Sequence, residues 1–492
     1  MPSTRVTTVA LRVTAALVAA ACSDPPTSGG DSARTGGDDD GGGADLPECP
    51  LDALDEADGP VEVTLWYGGI GGPTKDTLES VVAGFNASQD RVVVSASDQG
   101  SSFAEVYRKF ESAASADAGQ LPDIVMLENT QLQALADGGL VLPAEACMEA
   151  SGYDITQIEP AVRSAFSVDD VLYPGYMNVS SQVLYYNKAH WVRAGLDPDA
   201  PPRTLDEIYE QAQALAAAGV SDKPLSYKVG HAAFENWLSG EGIDVVDTDN
   251  GHDGLATEAT LDDPVAVETL ELLNTMQQEG LVNAFADVEG GIDQFLALVT
   301  QDSSMLIETS TASTTIAQAV SGTLTPAEAG IDFDASVIER ADLVPGTAPF
   351  PGISAAGHVH PGGGGFFIEN ASDPAQQAGS WAVLEHMLQP EVAKAWHVNG
   401  GYLPIVKAVR DEPDVQAFWQ DDLGGVLLEP AVEQLADADP DQPGPLIGPF
   451  PDFGDGLSAA IEAVLFDGRD PATALTDAQD VITESLARYA QQ

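Results

Sequence analysis

Short apolar runs with the two-residue period of a β-strand alternate along this chain with segments that have the period of an amphipathic helix. A strand pattern at 61–66 is followed by a helical pattern at 78–85, a strand at 92–94, a helix at 103–114 and a strand at 124–127. Regular alternation of this kind predicts an α/β fold, with a mainly parallel sheet covered by helices.

Several helix boundaries are marked by the residues that favour them. The pairs Asp263-Pro264, Asp373-Pro374 and Asp470-Pro471 place a capping carboxylate directly before a proline suited to the first helical turn. A further helix that starts at Pro390 should end at Gly400, where a residue without a Cβ atom can adopt a left-handed conformation.

The chain is large and strongly acidic. Its 492 residues are 44% apolar and 20% charged, so it can bury a large core and exceeds the usual size of one domain; we expect two lobes. The formal net charge is −59, and most of it lies beyond residue 58. Such a surface repels phosphate backbones, which argues against nucleic-acid binding. A saline habitat or solubility is the simplest account of the acidity, and a cationic ligand is the alternative.

The N-terminus has the layout of an export signal. Arg5 and Arg12 precede the small apolar run 13–21, which ends in Ala-Ala-Ala before Cys22 and is too short to span a bilayer. The segment resembles a bacterial lipobox, in which the cysteine is lipidated, although Ala19 stands where leucine is more common. We therefore predict a protein that is exported and held on the outer face of the cell membrane by lipid alone.

The next segment predicts a tether. Residues 1–22 form the expected signal peptide, and 23–58 are rich in Gly and Asp, with too few large apolar side chains to bury a core. We expect 23–58 to be a disordered linker between the lipid and the folded body.

Two cysteines remain once Cys22 is assigned to the lipid. Cys49 and Cys147 form an even pair in an oxidising compartment, so we predict a disulfide between them. The bond would close a loop of 98 residues (147 − 49), for which the chain-entropy model gives a stabilisation of the folded protein on the order of 4–5 kcal/mol. Two independent thiols are the alternative.

Enzyme signatures are absent from the sequence, with one open exception. None of the seven histidines lies in a His-Glu-x-x-His motif, and no Gly-x-Ser-x-Gly motif occurs. His358 and His360 alone do not make a metal site, so we expect neither a metal nor a cofactor. A secreted glycosidase needs only two spaced carboxylates, and among 78 acidic residues that alternative stays open.

Two local patterns imitate known binding loops and fail at their strict positions. Residues 247–258 resemble a calcium loop, but His252 stands where such loops require glycine. Residues 362–365 are four glycines that suggest a phosphate cradle, but Phe366 follows where a P-loop has lysine. We interpret the first as an acidic loop and the second as a place of close backbone approach.

Two blocks of sequence carry a family resemblance. Leu-Tyr-Tyr-Asn-Lys at 184–188, with Ala-Gly-Leu-Asp-Pro at 194–198 and Pro-Pro-Arg-Thr-Leu at 201–205, resembles extracellular solute-binding proteins, family 1, of ABC importers. The second block is Trp-His at 396–397 with Gly-Gly-Tyr-Leu-Pro-Ile-Val-Lys at 400–407, and the glycines before Phe366 match more weakly. Within the family the chain is most similar to the branch that binds glycerol 3-phosphate and carbohydrates.

The resemblance implies the periplasmic-binding-protein type II fold, with two α/β lobes, chain crossings that act as a hinge, and a ligand cleft between the lobes. It assigns 59–178 and 312–368 to an N-terminal lobe, and 179–311 and 369–492 to a C-terminal lobe. It also implies a non-enzymatic, monomeric receptor that delivers its solute to the permease of an ABC transporter.

The resemblance and the ends of the predicted strands together suggest ligand contacts, because ligands bind where strand ends meet at a crossing. Aromatic faces suit sugar rings or quaternary ammonium groups, and Glu, Asn and Ser bind hydroxyls. The predicted contacts are Trp66, Tyr67, Glu128, Asn129, Asn178, Ser180, Ser181, Trp237, Ser310, Gly363, Gly364 and Tyr402.

One departure from the family bears on the ligand. Glycerol-phosphate binders of this family carry an arginine at the position of Leu446, and without it a phosphate is poorly compensated. We therefore expect a sugar, oligosaccharide or polyol. Glycerol 3-phosphate or a glycerophosphodiester such as glycerophosphocholine is the alternative ligand, and a surface adhesin is a further alternative class.

Overall fold

The computed structural model describes residues 46–116, 121–288, 291–324 and 343–491. Cys22, the expected signal peptide and most of the expected tether lie outside these ranges. Within them, no helix is both long and apolar enough to cross a membrane.

Thirteen strands are described, and they form two large sheets and a small hairpin. They are β1 Val61–Tyr67, β2 Val92–Asp98, β3 Ile124–Glu128, β4 Val141–Leu142, β5 Ser167–Val168, β6 Val171–Leu172, β7 Tyr176–Ser180, β8 Gln182–Asn187, β9 Leu225–Val229, β10 Val282–Ala286, β11 Met305–Thr309, β12 Pro345–Pro349 and β13 Gly362–Glu369.

The first sheet has the order β2-β1-β3-β13-β4, and β7 pairs with β13. β1 runs parallel to β2 and β3, whereas β13 is antiparallel to all three of its partners. The second sheet has the order β10-β9-β11-β8-β12, in which β8 is antiparallel to both neighbours. Each sheet is therefore mixed, where the sequence predicted a mainly parallel one.

Alternating side chains give each sheet two apolar faces. In β8, Val183 and Tyr185 join the largest apolar cluster, while Leu184 and Tyr186 join the cluster on the opposite face. In β3, Ile124 points to that largest cluster, and its neighbour Val125 points to a third one. Such strands, buried on both faces, read as continuous apolar runs.

The helices cover these faces. Those against the first sheet are Ala53–Glu56, Gly72–Ser88, Phe103–Ala116, Leu132–Asp137, Ala144–Ser151, Pro160–Ala165, Pro374–Met387 and Pro390–Gly400. Those against the second sheet are Lys188–Ala194, Leu205–Ala217, His231–Ser239, Pro264–Gln278, Asp293–Val299, Phe450–Leu465 and Pro471–Tyr489. Ala312–Ser321, Lys407–Arg410, Pro413–Asp421 and Leu423–Ala436 continue the largest cluster.

The predicted helix starts are confirmed by their caps. The carboxylates of Asp263 and Asp470 accept hydrogen bonds from backbone N–H groups of the first turn, and Asp373 forms a capping box with Gln376. The helix from Pro390 ends at Gly400, as predicted, but the residue in the left-handed conformation is the next one, Gly401, with φ 77°.

The segment boundaries of the lobes differ from those that the resemblance implied. Strand β12, inside the segment 312–368 assigned to the first lobe, pairs with β8 of the second sheet. The helices Pro374–Met387 and Pro390–Gly400, assigned to the second lobe, pack on β1 and on the helix Gly72–Ser88. Apolar faces are buried wherever the chain can reach a partner sheet, and an alignment of sequence blocks does not encode that choice.

The predicted disulfide is confirmed, and it alters the expected tether. Cys49 and Cys147 are bonded, and both belong to the apolar cluster that covers the first sheet. The helix Ala53–Glu56 packs on Pro374–Met387. Residues 46–58 are therefore part of the first lobe, although their composition placed them in the tether.

Candidate functional site

A cavity of about 450 Å³ lies between the two sheets, where the chain crosses from one lobe to the other. Strand ends from both lobes meet there, as expected for a ligand site in an α/β protein. The residues on its wall are Gly69, Phe103, Glu128, Asn129, Thr130, Ser180, Ser181, Gln182, Lys228, His231, Ala232, Glu235, Asn236, Thr309, Thr311, His360, Gly362, Gly363, Tyr402, Pro443, Gly444, Pro445 and Phe450.

A second cavity of about 550 Å³ adjoins the first and shares Glu128, Lys228 and His231 with it. Its other wall residues include Glu308 and Asp455 of the second lobe. The two cavities form one cleft, which is large enough for a ligand of more than one ring.

The first-lobe wall is formed where β3 ends. The side-chain oxygen of Asn129 accepts a hydrogen bond of 3.1 Å from the N–H of Gly363, which ties the end of β3 to the start of β13. The hydroxyl of Thr130 donates to the Glu128 carboxylate at 3.3 Å. Burial raises the pKa of Glu128, and the charge of His231 across the cavity partly offsets that effect.

Hydrogen bonds fix the crossing between β7 and β8. The side-chain amide of Gln434 donates to the Ser181 hydroxyl at 3.0 Å and to the Gln182 carbonyl at 2.9 Å. The N–H of Ser181 donates to the hydroxyl of Ser310 at 3.3 Å, and the N–H of Ser310 donates back to the Ser181 carbonyl at 2.8 Å. Two crossings are thereby tied together behind the cavity wall.

The glycines that open β13 allow two chains to approach closely. Gly363 has φ 133°, and a Cβ atom there would lie 2.3 Å from the carbonyl oxygen of Asn178. A Cβ atom on Gly364 would lie 2.6 Å from the side-chain oxygen of Asn178. The predicted close backbone approach is thus confirmed, since any larger residue would push β13 away from β7.

Asn178 holds an unsatisfied amide beside the cavity. Its side chain is 0% exposed, and neither Oδ1 nor Nδ2 has a hydrogen bond partner among the described residues. The Tyr402 hydroxyl lies beside the Asn178 side chain, and this contact partly offsets the rise in the Tyr402 pKa that burial causes. An unpaired buried amide costs about 1–3 kcal/mol, so a small shift on ligand binding that satisfies it would be favourable.

A chain of hydrogen bonds positions Tyr402. The indole N–H of Trp419 donates to Nε2 of His397 at 2.9 Å, so Nδ1 carries the proton and donates to the Tyr402 carbonyl at 2.6 Å. The Tyr402 ring stacks on Trp396, with centroids 6.2 Å apart and planes 21° apart. Burial raises the pKa of Tyr402 to about 12, so its hydroxyl stays protonated at neutral pH.

The second-lobe wall carries an ion pair that the sequence analysis missed. Nδ1 of His231 lies 2.5 Å from the carboxylate of Glu235, which is 3% exposed. His231 stands at the start of a helix directly after β9, and Phe450 packs edge-on against its ring. The signal that could have revealed the pair is a histidine and a glutamate four residues apart after a strand-ending glycine, Gly230.

Comparison with known proteins identifies the family. A family model for bacterial extracellular solute-binding proteins matches residues 80–422, well over half of the chain. The protein belongs to this family. Its members are binding proteins and not enzymes, and they work outside the cytoplasm.

Curated relatives of this solute-binding protein include sn-glycerol-3-phosphate-binding periplasmic proteins UgpB. That of Escherichia coli (strain K12) is 25% identical over 379 residues, which cover 75% of this chain and 81% of the relative. That of Yersinia pestis bv. Antiqua (strain Antiqua) is 26% identical over 318 residues, which cover 64% and 67%.

Solved structures share the two-lobed type II fold of this solute-binding protein. The cyclic alpha-maltosyl-1,6-maltose binding protein from Arthrobacter globiformis has a TM-score of 0.67 at 22% identity, covering 87% of this chain and 100% of that one. UgpB from Mycobacterium tuberculosis in complex with glycerophosphocholine has a TM-score of 0.66 at 18% identity, covering 89% and 100%.

Six of the residues predicted as contacts lie on the cavity wall of the solute-binding protein, and three lie just behind it. Those on the wall are Glu128, Asn129, Ser180, Ser181, Gly363 and Tyr402. Those behind it are Asn178, Ser310 and Gly364, which support wall residues through the contacts described above.

The other three predicted contacts lie away from the cavity wall: Trp237 and Tyr67 are in the cores of the lobes, and Trp66 is partly buried against one. Trp237 is 0% exposed, donates its indole N–H to the Pro351 carbonyl at 2.8 Å and packs on Phe350. Tyr67 points into the first core, and Trp66 packs against the apolar cluster on the opposite face of β1. Strand alternation sends these two rings to the two faces of the sheet and not to its end.

The cations of the cleft are paired within the second lobe. Lys228 lies 2.7 Å from the Asp287 carboxylate, and His231 is paired with Glu235. Among the described residues, Glu128 makes no salt bridge and its carboxylate faces the cavity. The described residues also contain no group of three or more His, Cys, Asp or Glu side chains that could hold a metal.

Two contacts join the lobes of the solute-binding protein at one end of the cleft. Leu446, which adjoins wall residue Pro445, is 7% exposed and belongs to the apolar cluster of the first lobe that includes Leu132 and Leu135. The Tyr489 hydroxyl donates to the carboxylate of Asp137 at 2.7 Å. Both contacts would be broken if the lobes moved apart.

Proposed function

We propose that this protein captures a small uncharged polyhydroxylated solute, a mono- or oligosaccharide or a polyol, in the cleft between its lobes. The observation that carries this proposal is the charge pattern of the wall. Both cations on the wall, Lys228 and His231, already have carboxylate partners, whereas Glu128 makes no salt bridge with any residue that the structure describes. An anionic ligand would meet no free cation, whereas hydroxyl groups can donate to Glu128.

The remaining wall chemistry favours the same ligand class. Amides of Asn129 and Gln182 and hydroxyls of Ser180, Thr309 and Thr311 are arranged around the cavity. Such groups both donate to and accept from sugar hydroxyls. The rings of Tyr402, Phe103 and Phe450 on the same wall offer the flat apolar surfaces on which sugar rings stack.

Glycerol 3-phosphate and glycerophosphodiesters are the alternative ligands. They are favoured by the names of curated relatives and by one structural neighbour bound to glycerophosphocholine. Against them, Leu446 occupies the position at which glycerol-phosphate binders of the family carry an arginine, and it is buried in the first lobe. A phosphate in this cleft would lack the forked cation that such groups require.

The same proposal covers delivery and location. We infer that the loaded, closed form docks on the permease of an ABC transporter, which reads lobe closure and accepts the solute. Cleavage before Cys22 and lipidation of that residue would hold a monomeric receptor on the outer face of the membrane. Metabolic labelling with a palmitate analogue tests the anchor, and a Cys22→Ala variant should lose the label and appear in the medium.

A thermal-shift screen followed by calorimetry tests the ligand class. Maltose, ribitol and other sugars and polyols should raise the unfolding temperature and be recovered unchanged, since a ligand that binds only the folded state stabilises it. The Glu128→Gln variant should bind more weakly than the wild type, and Glu79→Gln, on a helix away from the cleft, should not. Stabilisation by glycerol 3-phosphate alone would contradict the proposal.

A further inference from the structure

The cleft places a carboxylate of one lobe opposite an imidazole-carboxylate pair of the other. Glu128 ends β3 in the first lobe, while His231 and Glu235 begin the helix that follows β9 in the second lobe. All three line the same cavity. We call these residues the cross-cleft triad.

We propose that the cross-cleft triad makes capture selective for uncharged solutes and couples lobe closure to pH. The proposal rests on the proposed function, because it assumes that the solute is held in this cleft. It assigns His231 and Glu235 as specificity-determining residues.

The geometry supplies the first argument. Glu235 is almost completely buried and holds Nδ1 of His231, so the imidazole is kept in one orientation at the cavity wall. Phe450 packs against the ring, and the N–H of His231 donates to the Ser458 hydroxyl at 3.1 Å. A Cβ atom on Gly454 would lie 3.3 Å from Nε2, so this glycine leaves room for the ring. The imidazole is therefore a built part of the wall.

The charges supply the second argument. With His231 protonated, the imidazolium attracts both Glu235 on its own helix and Glu128 on the other lobe. When it loses its proton, that attraction is lost, whereas the repulsion between the Glu128 and Glu235 carboxylates remains. Like charges that approach each other at a closing interface are strongly unfavourable, so the equilibrium shifts toward the open form.

The carboxylates around His231 favour its protonated form. Burial lowers the pKa of His231, but Glu235, Glu128 and Asp287 outweigh burial, and the pKa lies above its usual value of about 6.5. Burial and His231 lower the pKa of His360, which leaves it neutral. The other charged groups around the cleft are Lys228, which is paired with Asp287, and Glu308 and Asp455.

The sign of the pH dependence follows from these groups. Because the pKa of His231 is raised, its contribution to closure is complete below about 6.5 and is lost as the pH rises through the raised value. Because burial raises the pKa of Glu128, its carboxylate is lost as the pH falls through that value. Closure on an uncharged solute should therefore be tightest between the two transitions and weaker on either side.

Charged solutes should behave differently. A quaternary ammonium group would be repelled by the imidazolium and would gain Glu128 and Glu235 as partners once His231 is neutral, so its binding should strengthen as the pH rises. An anion would lie beside Glu128 and should weaken steadily over the same range. The shape of the pH profile therefore separates the three ligand classes.

The first experiment needs no ligand. The imidazole resonances of the full chain are titrated by NMR in the wild type and in Glu128→Gln. A His358→Gln variant identifies the signal of His358, an exposed histidine that hydrogen-bonds to the Gly240 carbonyl, so that this signal can be excluded. Removing the Glu128 charge should lower the pH at which His231 titrates. An unchanged titration would overturn the proposal, whatever the protein binds.

The second experiment uses maltose, ribitol and glycerophosphocholine as probes in calorimetry from pH 5 to 9. For an uncharged probe that binds, affinity should fall by about threefold to tenfold from its maximum toward pH 9, the size expected for one partly exposed charge pair. His231→Gln, which keeps a polar side chain but cannot titrate, should lose that fall, and His358→Gln should retain it.

The two proposals fail in different ways. If none of the probes or other sugars and polyols binds, the proposed function fails, and the NMR titration still decides the triad. If an uncharged probe binds with the same pH profile in the wild type and His231→Gln, the triad is overturned and the proposed function stands.

Discussion

At the scale of single residues, the site depends on one neutral histidine. His397 is 0% exposed, accepts a hydrogen bond from Trp419 and donates one to the carbonyl of Tyr402. Burial lowers the pKa of His397 from 6.5 to about 4. A protonated His397 could not accept from the indole N–H, so the chain of bonds requires the neutral ring.

This histidine should make stability depend on pH. The unfolded chain binds a proton below about 6.5 and the folded protein only below about 4, so stability is lost as the pH falls through this interval. At pH 5 the loss attributable to His397 should be about 2 kcal/mol. Urea unfolding at pH 7 and pH 5 measures it. A His397→Gln variant should show a smaller loss than the wild type, and an equal loss would exclude His397 as its source.

Two aromatic residues that look alike in the sequence should respond differently to truncation. Tyr402 is on the cavity wall at 8% exposure, whereas Trp66 packs on the first sheet. Tyr402→Ala should weaken solute binding by at least about tenfold, because it removes a stacking face and a hydroxyl. Trp66→Ala should lower stability and leave affinity within about twofold. Calorimetry and thermal unfolding of both variants separate these effects, and the reverse pattern would move the site.

At the scale of elements, the first residues of β13 decide how closely this strand can pair with β7. Gly363 lies at φ 133°, a region that residues with a Cβ atom rarely occupy, and it faces the Asn178 carbonyl. The strand keeps its antiparallel pairing with β7 only because nothing projects from this position.

Alanine substitutions at two glycines should therefore change the free energy of unfolding in opposite directions. Gly363→Ala should destabilise the protein by more than about 1 kcal/mol, through backbone strain and the contact with Asn178. Gly84→Ala lies on an exposed helical face with open space around it and should stabilise by up to about 1 kcal/mol. Denaturant unfolding of both variants is the measurement. A stable Gly363→Ala protein would mean that β13 does not need this conformation.

The sequence predicted those elements whose signals are local. The apolar run of β3 and the Asp-Pro starts of three helices match the structure because strand burial and helix caps are decided by neighbours in sequence. The segment that contains β12 was assigned to the first lobe, although β12 pairs with β8 of the second sheet. The strand beside which β12 lies depends on residues more than 150 positions away, such as Asn187 opposite Pro345.

The same limit explains the site. Glu128 and Asn129 were predicted because they follow a buried strand, and such positions meet at a sheet edge. Trp237 and His231 lie on one helix, and nothing local distinguishes the ring that enters the core from the one that lines the cavity. That choice is made by Phe350 and Phe450, which come from distant segments.

At the scale of the whole molecule, the lobes are held together by contacts outside the ligand cleft as well as by its wall. Leu446 is inserted in the first lobe's apolar cluster, and Tyr489 of the C-terminal helix bonds to Asp137. The disulfide lies within the first lobe and does not restrain movement of one lobe relative to the other.

Weakening the contact between Tyr489 and Asp137 should lower the affinity for the solute without changing any residue of the cleft. Tyr489→Phe removes one hydrogen bond that exists only while the lobes are together, so binding of an uncharged solute should weaken by about twofold to tenfold. Tyr209→Phe removes a similar bond of 2.9 Å to Glu279 within the second lobe and should leave affinity unchanged. Calorimetry compares them, and equal affinities for Tyr489→Phe and the wild type would show that the contact does not contribute to closure.

The central claim is that two lobes hold an uncharged polyhydroxylated solute and release it unaltered. Native mass spectrometry of the full chain, incubated with an equimolar mixture of sugars, polyols, glycerol 3-phosphate and glycerophosphocholine, tests it most directly. We predict one retained neutral sugar or polyol of unchanged mass, which is reduced in the Glu128→Gln and Tyr402→Ala variants. Retention of glycerol 3-phosphate or glycerophosphocholine in preference to every neutral compound, or a retained solute of altered mass, would contradict it.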